Sequence, residues 1–258
     1  MANANISENY LEYLNEYFKG IKEWEKIVLT DLDWTLFRDS FFIKLYERMI
    51  DEGWITKYNQ KFVDKAEDDW KNREASYDAY IWKVIMAFFG GIEGKTELQV
   101  ASLVDDIIKR NYKKNYVYTY NKLKEYQKKG YKIIIVSGTP DFVIKKLIKK
   151  LWFEFWVGSV YGKTEKETFD GTNEVPMFAS STKIEVLNFL KETKKVKKIV
   201  AFGDTNWDLT LLQNANKGYA INPNGELLEK VMHMKKVDII IERKDVIYDF
   251  KNAKIITK

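Results

Sequence analysis

Hydrophobic and polar positions along the chain fall into two regimes. Tyr10, Leu11, Leu14, Tyr17, Phe18 and Ile21 recur at helical spacing, which predicts an N-terminal helix with one face on a core, and Ser7 is placed to cap it. The run Ile27-Val28-Leu29 is short, apolar and branched, the pattern of a buried strand. From Phe41 to about Tyr112 the period is helical again. Leu45, Met49 and Ile50 mark one segment, Tyr80, Ile81, Val84, Ile85 and Phe88 a second, and Leu98, Leu103, Ile107 and Ile108 a third. Gly53 and Gly90-Gly91 punctuate them. The aromatic residues here (Phe41, Phe42, Trp54, Trp70, Trp82, Phe88, Phe89) are read as the core of a small helical bundle rather than a ligand-facing surface.

From Val117 the pattern becomes strand–helix alternation. A helix through Leu123 and Tyr126 ends near Gly130, Lys132–Val136 is a β-branched strand, and a helix runs from about Phe142 to Leu151. Phe155–Tyr161 reads as a strand and Asp170-Gly171 as a hairpin turn. Lys183–Glu192 is helical, Lys198–Phe202 a strand, Asp208–Asn214 a helix start, and Tyr219–Ile221 and Asp238–Ile241 short strands. Such alternation implies an α/β fold, a Rossmann-like three-layer sandwich with a mostly parallel sheet. The helical stretch after the first strand then becomes an all-helical insertion into a discontinuous core.

Composition narrows the function classes. With 45% hydrophobic and 31% charged residues among 258, the chain folds rather than staying disordered. The lack of cysteine removes disulfides, thiol nucleophiles and thiolate metal sites. A single histidine, His233, cannot build a histidine zinc site and is read as a helix-surface residue. No run approaches the roughly 20 apolar residues that span a bilayer. Met1 to Asn9 show no basic-then-apolar leader pattern, so a cytoplasmic location without a membrane partner is expected. The net charge is +5, with lysines dense in 109–150 and 191–198. Since 38 acidic residues are interspersed, these lysines are read as solvated helix faces, and a nucleic-acid partner is not expected.

Candidate chemistry gathers at strand ends. Asp31 and Asp33 follow the first strand, two residues apart, so an extended backbone turns both carboxylates to one side. Like charges held that close need a shared proton or a cation, and a hard divalent ion such as Mg²⁺ prefers oxygen ligands. One carboxylate can then attack phosphorus while the other handles a proton. Ser137-Gly138-Thr139 follows the second strand. It reads equally as a phosphate cradle or as a helix cap. Lys183 opens an amphipathic helix, and Asp204 and Asp208 sit four apart where a strand meets a helix. They can bind metal, or Asp208 can complement the helix dipole.

The order Asp-x-Asp-x-Thr, Ser, Lys, Gly-Asp-x-x-x-Asp resembles the haloacid dehalogenase superfamily of phosphohydrolases from about Lys26 to Pro223. Asp39-Ser40-Phe41-Phe42, Val136-Ser137-Gly138-Thr139-Pro140, Asp170-Gly171 and Ala220-Ile221-Asn222-Pro223 are similar to its phosphoserine-phosphatase-like branch. The resemblance implies a helical cap over residues 39–114 and a core of 1–38 and 115–258. It implies Asp31 as nucleophile forming an aspartyl-phosphate, and Asp33 as general acid and base. Mg²⁺ would sit on Asp31, the Asp33 main-chain carbonyl and Asp204, with Asp208 orienting that set. Ser137 and Gly138 would bind phosphate, Lys183 would neutralise charge, and Thr35 would fix the first loop.

Three departures bear on the substrate. Trp34 stands where the family often has Gly, and Trp207 where phosphoserine phosphatases usually have Asn. Phe41 and Phe42 replace the acidic residue that grips a substrate amine, so phosphoserine is disfavoured. The expectation is a phosphatase acting on a small phosphorylated metabolite. A nucleic-acid end phosphatase and a non-catalytic phosphate-binding module are the alternatives. Arg38, Arg73, Lys83 and Lys95 are candidate anion binders in the cap, each read first as surface.

Overall fold

In the computed structural model, which describes residues 8–250, the N-terminal periodicity becomes α1 (Glu8–Tyr17), burying Tyr10 and Leu14 while Leu11 faces out. The expected cap Ser7 lies outside the described residues. The chain then enters β1 (Lys26–Thr30), and four helices follow: α2 (Phe41–Asp51), α3 (Lys57–Lys71), α4 (Tyr77–Ile92) and α5 (Glu97–Asn111). Ser40, Thr56, Ser76 and Thr96 each accept a backbone N–H at the start of one of them, satisfying donors the first turn leaves free. Sequence periodicity missed α3, because Val63 is its one fully buried residue. Leu98, assigned to the apolar stripe of α5, is exposed.

Alternation then proceeds through α6 (Val117–Lys128), β2 (Tyr131–Pro140), α7 (Asp141–Leu147), β3 (Phe155–Lys163) and β4 (Phe169–Val175). It continues with α8 (Ser180–Glu192), β5 (Lys198–Gly203), α9 (Leu209–Asn214), β6 (Lys217–Ile221), α10 (Gly225–Val231), β7 (Val237–Arg243) and β8 (Val246–Asp249). The expected turn at Asp170-Gly171 is corrected: both residues lie within β4, and the reversal falls at Thr164–Thr168, where Thr164 N–H donates to Thr168 O. Gly171 keeps a turn-like φ of +80° because β4 bends there against the end of α4. His233 is exposed in the turn after α10, not on the helix itself.

Among the described residues, one sheet runs in the order β4-β3-β2-β1-β5-β6-β7-β8. The pairs from β3 to β7 are parallel, and β4 and β8 close the two edges antiparallel. Period-two alternation sorts the core. Val28, Ile133, Ile135, Val200 and Phe202 join one cluster with α6 and α7, and α2 to α5 extend that cluster. Ile27, Leu29, Ile134, Val136 and Ile199 join the other, with α1, α8, α9 and α10. Three layers result, with the inserted helices continuing one of them. No helix among the described residues is long and apolar enough to cross a membrane.

Candidate active site

The strand order places β1 between β2 and β5, so the chain leaves β1 toward one side of the sheet and later returns on the other. Such a reversal opens a crevice beyond the carboxyl ends of the strands. Asp31 follows β1 there, its N–H donating to Phe202 O at 3.1 Å, and Asp204 follows β5. At Gly203 a Cβ would lie 2.2 Å from that of Asp208, so only glycine lets the turn fold back this tightly. Asp208 then accepts the N–H groups of Asp204 (3.1 Å) and Thr205 (3.3 Å) on Oδ2. Its Oδ1 accepts from Lys183 Nζ at 2.6 Å.

Lys183, in the first turn of α8, also donates to Asp31 Oδ1 at 3.3 Å and is 2% exposed. Thr35 Oγ1 donates to Asp204 Oδ1 at 2.8 Å, so Thr35 holds an acid and does not line the cavity described below. Carboxylate oxygens of Asp31, Asp204 and Asp208 lie within 4.8 Å of one another, all three residues buried. Burial raises the Asp31 pKa, Asp208 and Asp33 add to it, and Lys183 opposes. Asp204 is driven well above the carboxylate range by burial, then by Asp208 and Asp31. Burial works against the charge of Lys183, yet Asp208 and Asp31 hold its pKa above the usual value. One ammonium among three carboxylates leaves two negative charges uncompensated. A divalent cation is the complement of that charge, and an all-oxygen donor set suits Mg²⁺. Since both Asp208 oxygens are already bonded, Asp31 and Asp204 are the side chains free to hold it.

Asp33 is differently placed. Its carboxylate accepts from Ser40 Oγ (2.7 Å), Thr139 Oγ1 (2.9 Å), Phe41 N–H (2.9 Å) and Phe42 N–H (3.3 Å). It therefore sits on the N-terminus of α2 rather than in the cluster of acids. Burial raises its pKa against these four bonds. Ser40 and Thr139 were missed as site residues. Ser40 ahead of an apolar helical run is a legible cap, but nothing local in the sequence shows that it also donates to Asp33.

Ser137 and Gly138 continue β2 to the same edge. Gly138 has no room for a side chain, since a Cβ would lie 2.8 Å from that of Phe178. Trp34 takes a left-handed φ of 59°, which supplies the physical reason that glycine suits this position. After β2, Asp141 starts α7, and the hydroxyls of Tyr13 and Tyr17 in α1 lie 3.3 and 3.2 Å from its Oδ2 and against each other, sharing their two protons among three contacts.

These groups open on a cavity of about 70 Å³. Asp31, Asp33, Ser137, Gly138, Lys183 and Asp204 line its floor, and Phe42, Tyr77, Ile81 and Ile85 from the inserted helices line its roof. Arg38, Arg73, Lys83 and Lys95 do not reach it. Lys83 and Lys95 instead rest over the rings of Phe62 and Trp54, and Arg38 and Arg73 are exposed.

A family model described as haloacid dehalogenase-like hydrolase matches residues 28–213. No curated protein matches the chain by sequence. Among solved structures, a protein with unknown function from Bordetella pertussis Tohama I has a TM-score of 0.66 at 14% identity, over 83% of this chain and 98% of that one. A phosphoserine phosphatase, solved as a phospho-aspartyl intermediate analogue, has a TM-score of 0.59 at 21% identity over 86% and 96%. Cytosolic 5′-nucleotidase IIIB bound to cytidine has 0.57 at 14% over 90% and 84%. At these identities the likeness is one of fold.

Proposed function

The chain belongs to the haloacid dehalogenase-like hydrolases, and on that premise we propose that it is a Mg²⁺-dependent phosphatase acting on a small phosphomonoester through an aspartyl-phosphate. The observation that carries this reading is the buried cluster of Asp31, Asp204, Asp208 and Lys183, two positive charges short of neutrality at the sheet's crevice. In this reading residues 39–114 are a cap over a core of 1–38 and 115–258.

Asp31 attacks phosphorus in line, forming a carboxyl-phosphate bond as the ester P–O bond breaks. Asp33 donates its proton to the departing alkoxide oxygen. Its raised pKa keeps that proton available nearer neutrality than an ordinary carboxyl would. The same carboxylate then takes a proton from water, the water oxygen attacks phosphorus, and Asp31 and inorganic phosphate are released. Ser137 Oγ and the Gly138 N–H hold phosphoryl oxygens, and Lys183 compensates charge on Asp31 and the phosphoryl group. Asp31, Asp204 and the Asp33 main-chain carbonyl would hold Mg²⁺, which when bound would supply charge to offset the repulsion between an anionic nucleophile and an anionic ester. Asp208 keeps Lys183 and the 203–205 turn in place. Phosphoryl transfer asks for positioning and charge compensation above all.

The test is phosphate release from p-nitrophenyl phosphate and a metabolite panel, with Mg²⁺ or EDTA, for wild type and Asp31→Asn. Release that requires Mg²⁺ and falls by about 10⁴-fold or more in the variant is expected. Absence of turnover on every compound would overturn the proposal.

A further inference from the structure

We propose that the substrate's leaving group is an uncharged aromatic alcohol; this rests on the phosphatase reading and concerns what lies beyond the phosphoryl group. Among the cavity's lining residues, the charged ones are Asp31, Asp33, Lys183 and Asp204, and all four belong to the floor. Above them the walls are Trp34, Phe42, Tyr77, Ile81, Phe178 and Trp207. An ammonium or carboxylate on the leaving group would be buried there without a partner, which is costly. Phe42 lies on the first turn of α2, over the floor, and it is 7% exposed.

The ring preference comes from where the aromatic groups stand. Phe178 lies directly on Gly138, whose added Cβ would sit 2.8 Å from Phe178 Cβ. A group one or two bonds beyond a phosphoryl held at Gly138 therefore meets this side chain. Trp207 lies 5.8 Å from Phe178, centroid to centroid, at an interplanar angle of 46°. Trp82 of α4 meets Phe178 edge-on at 5.8 Å and 74°. Together they form an aromatic mouth, and offset or edge-on ring packing is worth about 0.5–1.5 kcal/mol beyond area. The Trp34 indole N–H, near the Tyr77 hydroxyl, is buried without a well-formed hydrogen bond. It is a neutral donor available to a neutral acceptor on the ring or its ester oxygen.

The experiment compares kcat/KM for benzyl phosphate, 4-carboxybenzyl phosphate and 2-aminoethyl phosphate with Mg²⁺, because all three release a primary alkoxide. Benzyl phosphate is expected to exceed each charged ester by at least roughly 10-fold. Phe178→Ala and Trp207→Ala, both at half-buried positions, are expected to shrink that preference through KM. Equal rates, or a preference for a charged ester, overturn the inference and leave the phosphatase reading standing. So does a preference unaltered in both variants. No hydrolysis of these esters or of p-nitrophenyl phosphate overturns both.

Discussion

The floor and the roof of the cavity are built on different physics. On the floor, Asp31, Asp33, Asp204, Asp208 and Lys183 are fixed by hydrogen bonds from strand ends and tight turns. Asp31, Asp204, Asp208 and Lys183 are buried there. On the roof, helices α2 and α4 present Phe42, Tyr77, Ile81 and Ile85, held by apolar packing that tolerates exchange at similar volume. On the proposed function, one region would fix which bond is broken, and the other which molecule is admitted. Changes to the floor should appear in kcat, and changes to the roof in KM and selectivity.

The largest effect short of the nucleophile itself is expected at Lys183. Lys183→Met should lower kcat by roughly 10²–10³-fold, and breaking a buried pair should cost about 3–5 kcal/mol in stability. Steady-state kinetics and denaturant unfolding measure both, and a loss confined to KM would break the comparison.

Next is the response to pH and metal. Asp31, Asp33 and Asp204 have folded-state pKa values raised above the ordinary range. The folded protein then binds more protons than the unfolded chain between the ordinary carboxylate value and these raised ones, so stability falls as pH rises through that window. In EDTA the Tm should drop between pH 5.5 and 8, by about 2–4 °C per kcal/mol. Mg²⁺ should raise Tm more at pH 8 than at pH 5.5. A Tm in EDTA that climbs with pH would show the carboxylates to be compensated without metal.

Ser40→Ala should be milder, at about 1 kcal/mol for the lost cap of α2. Ser40 lowers the Asp33 pKa, so its removal should move the limb of the kcat–pH profile set by Asp33 to higher pH. An unmoved profile would detach Asp33 from α2. Smallest of all, Trp34→Gly removes about 1–2 kcal/mol of left-handed strain and loses ring burial of similar size. Net stability in denaturant should change by under about 1 kcal/mol, with a few-fold change in KM. A larger change in kcat would move Trp34 from the roof to the floor.

The same division decides what the sequence revealed. Floor residues announce themselves, because Asp31, Ser137 and Asp204 each follow an apolar run, and Gly203 beside Asp204 forces a short-range turn. The parallel centre of the sheet was legible for the same reason, since its strands are buried on both faces. The polar surface of α3 carries almost no apolar period, so it went unread. Phe178 and Trp207 meet 29 positions apart in the chain, and no local pattern joins them. The bond network from Tyr13 and Tyr17 to Asp141 spans over 120 positions. It ties α1, outside the matched 28–213, to the helix that follows β2.

Asp33 serves two structures at once, since a carboxylate that lines the cavity also caps the first turn of α2. Modular exchange of the inserted helices is limited accordingly. A chimera joined at residue 39 would carry in a foreign α2 start, replace the Ser40 hydroxyl and re-aim the two N–H groups behind it, leaving Thr139 as the donor the recipient sheet keeps. One that keeps residues 31–43 with the recipient sheet, and grafts from mid-α2 onward, would inherit a working proton donor beneath a new ceiling. Transplants in this fold therefore have a natural suture, and it lies one helical turn inside the helix rather than in the loop before it.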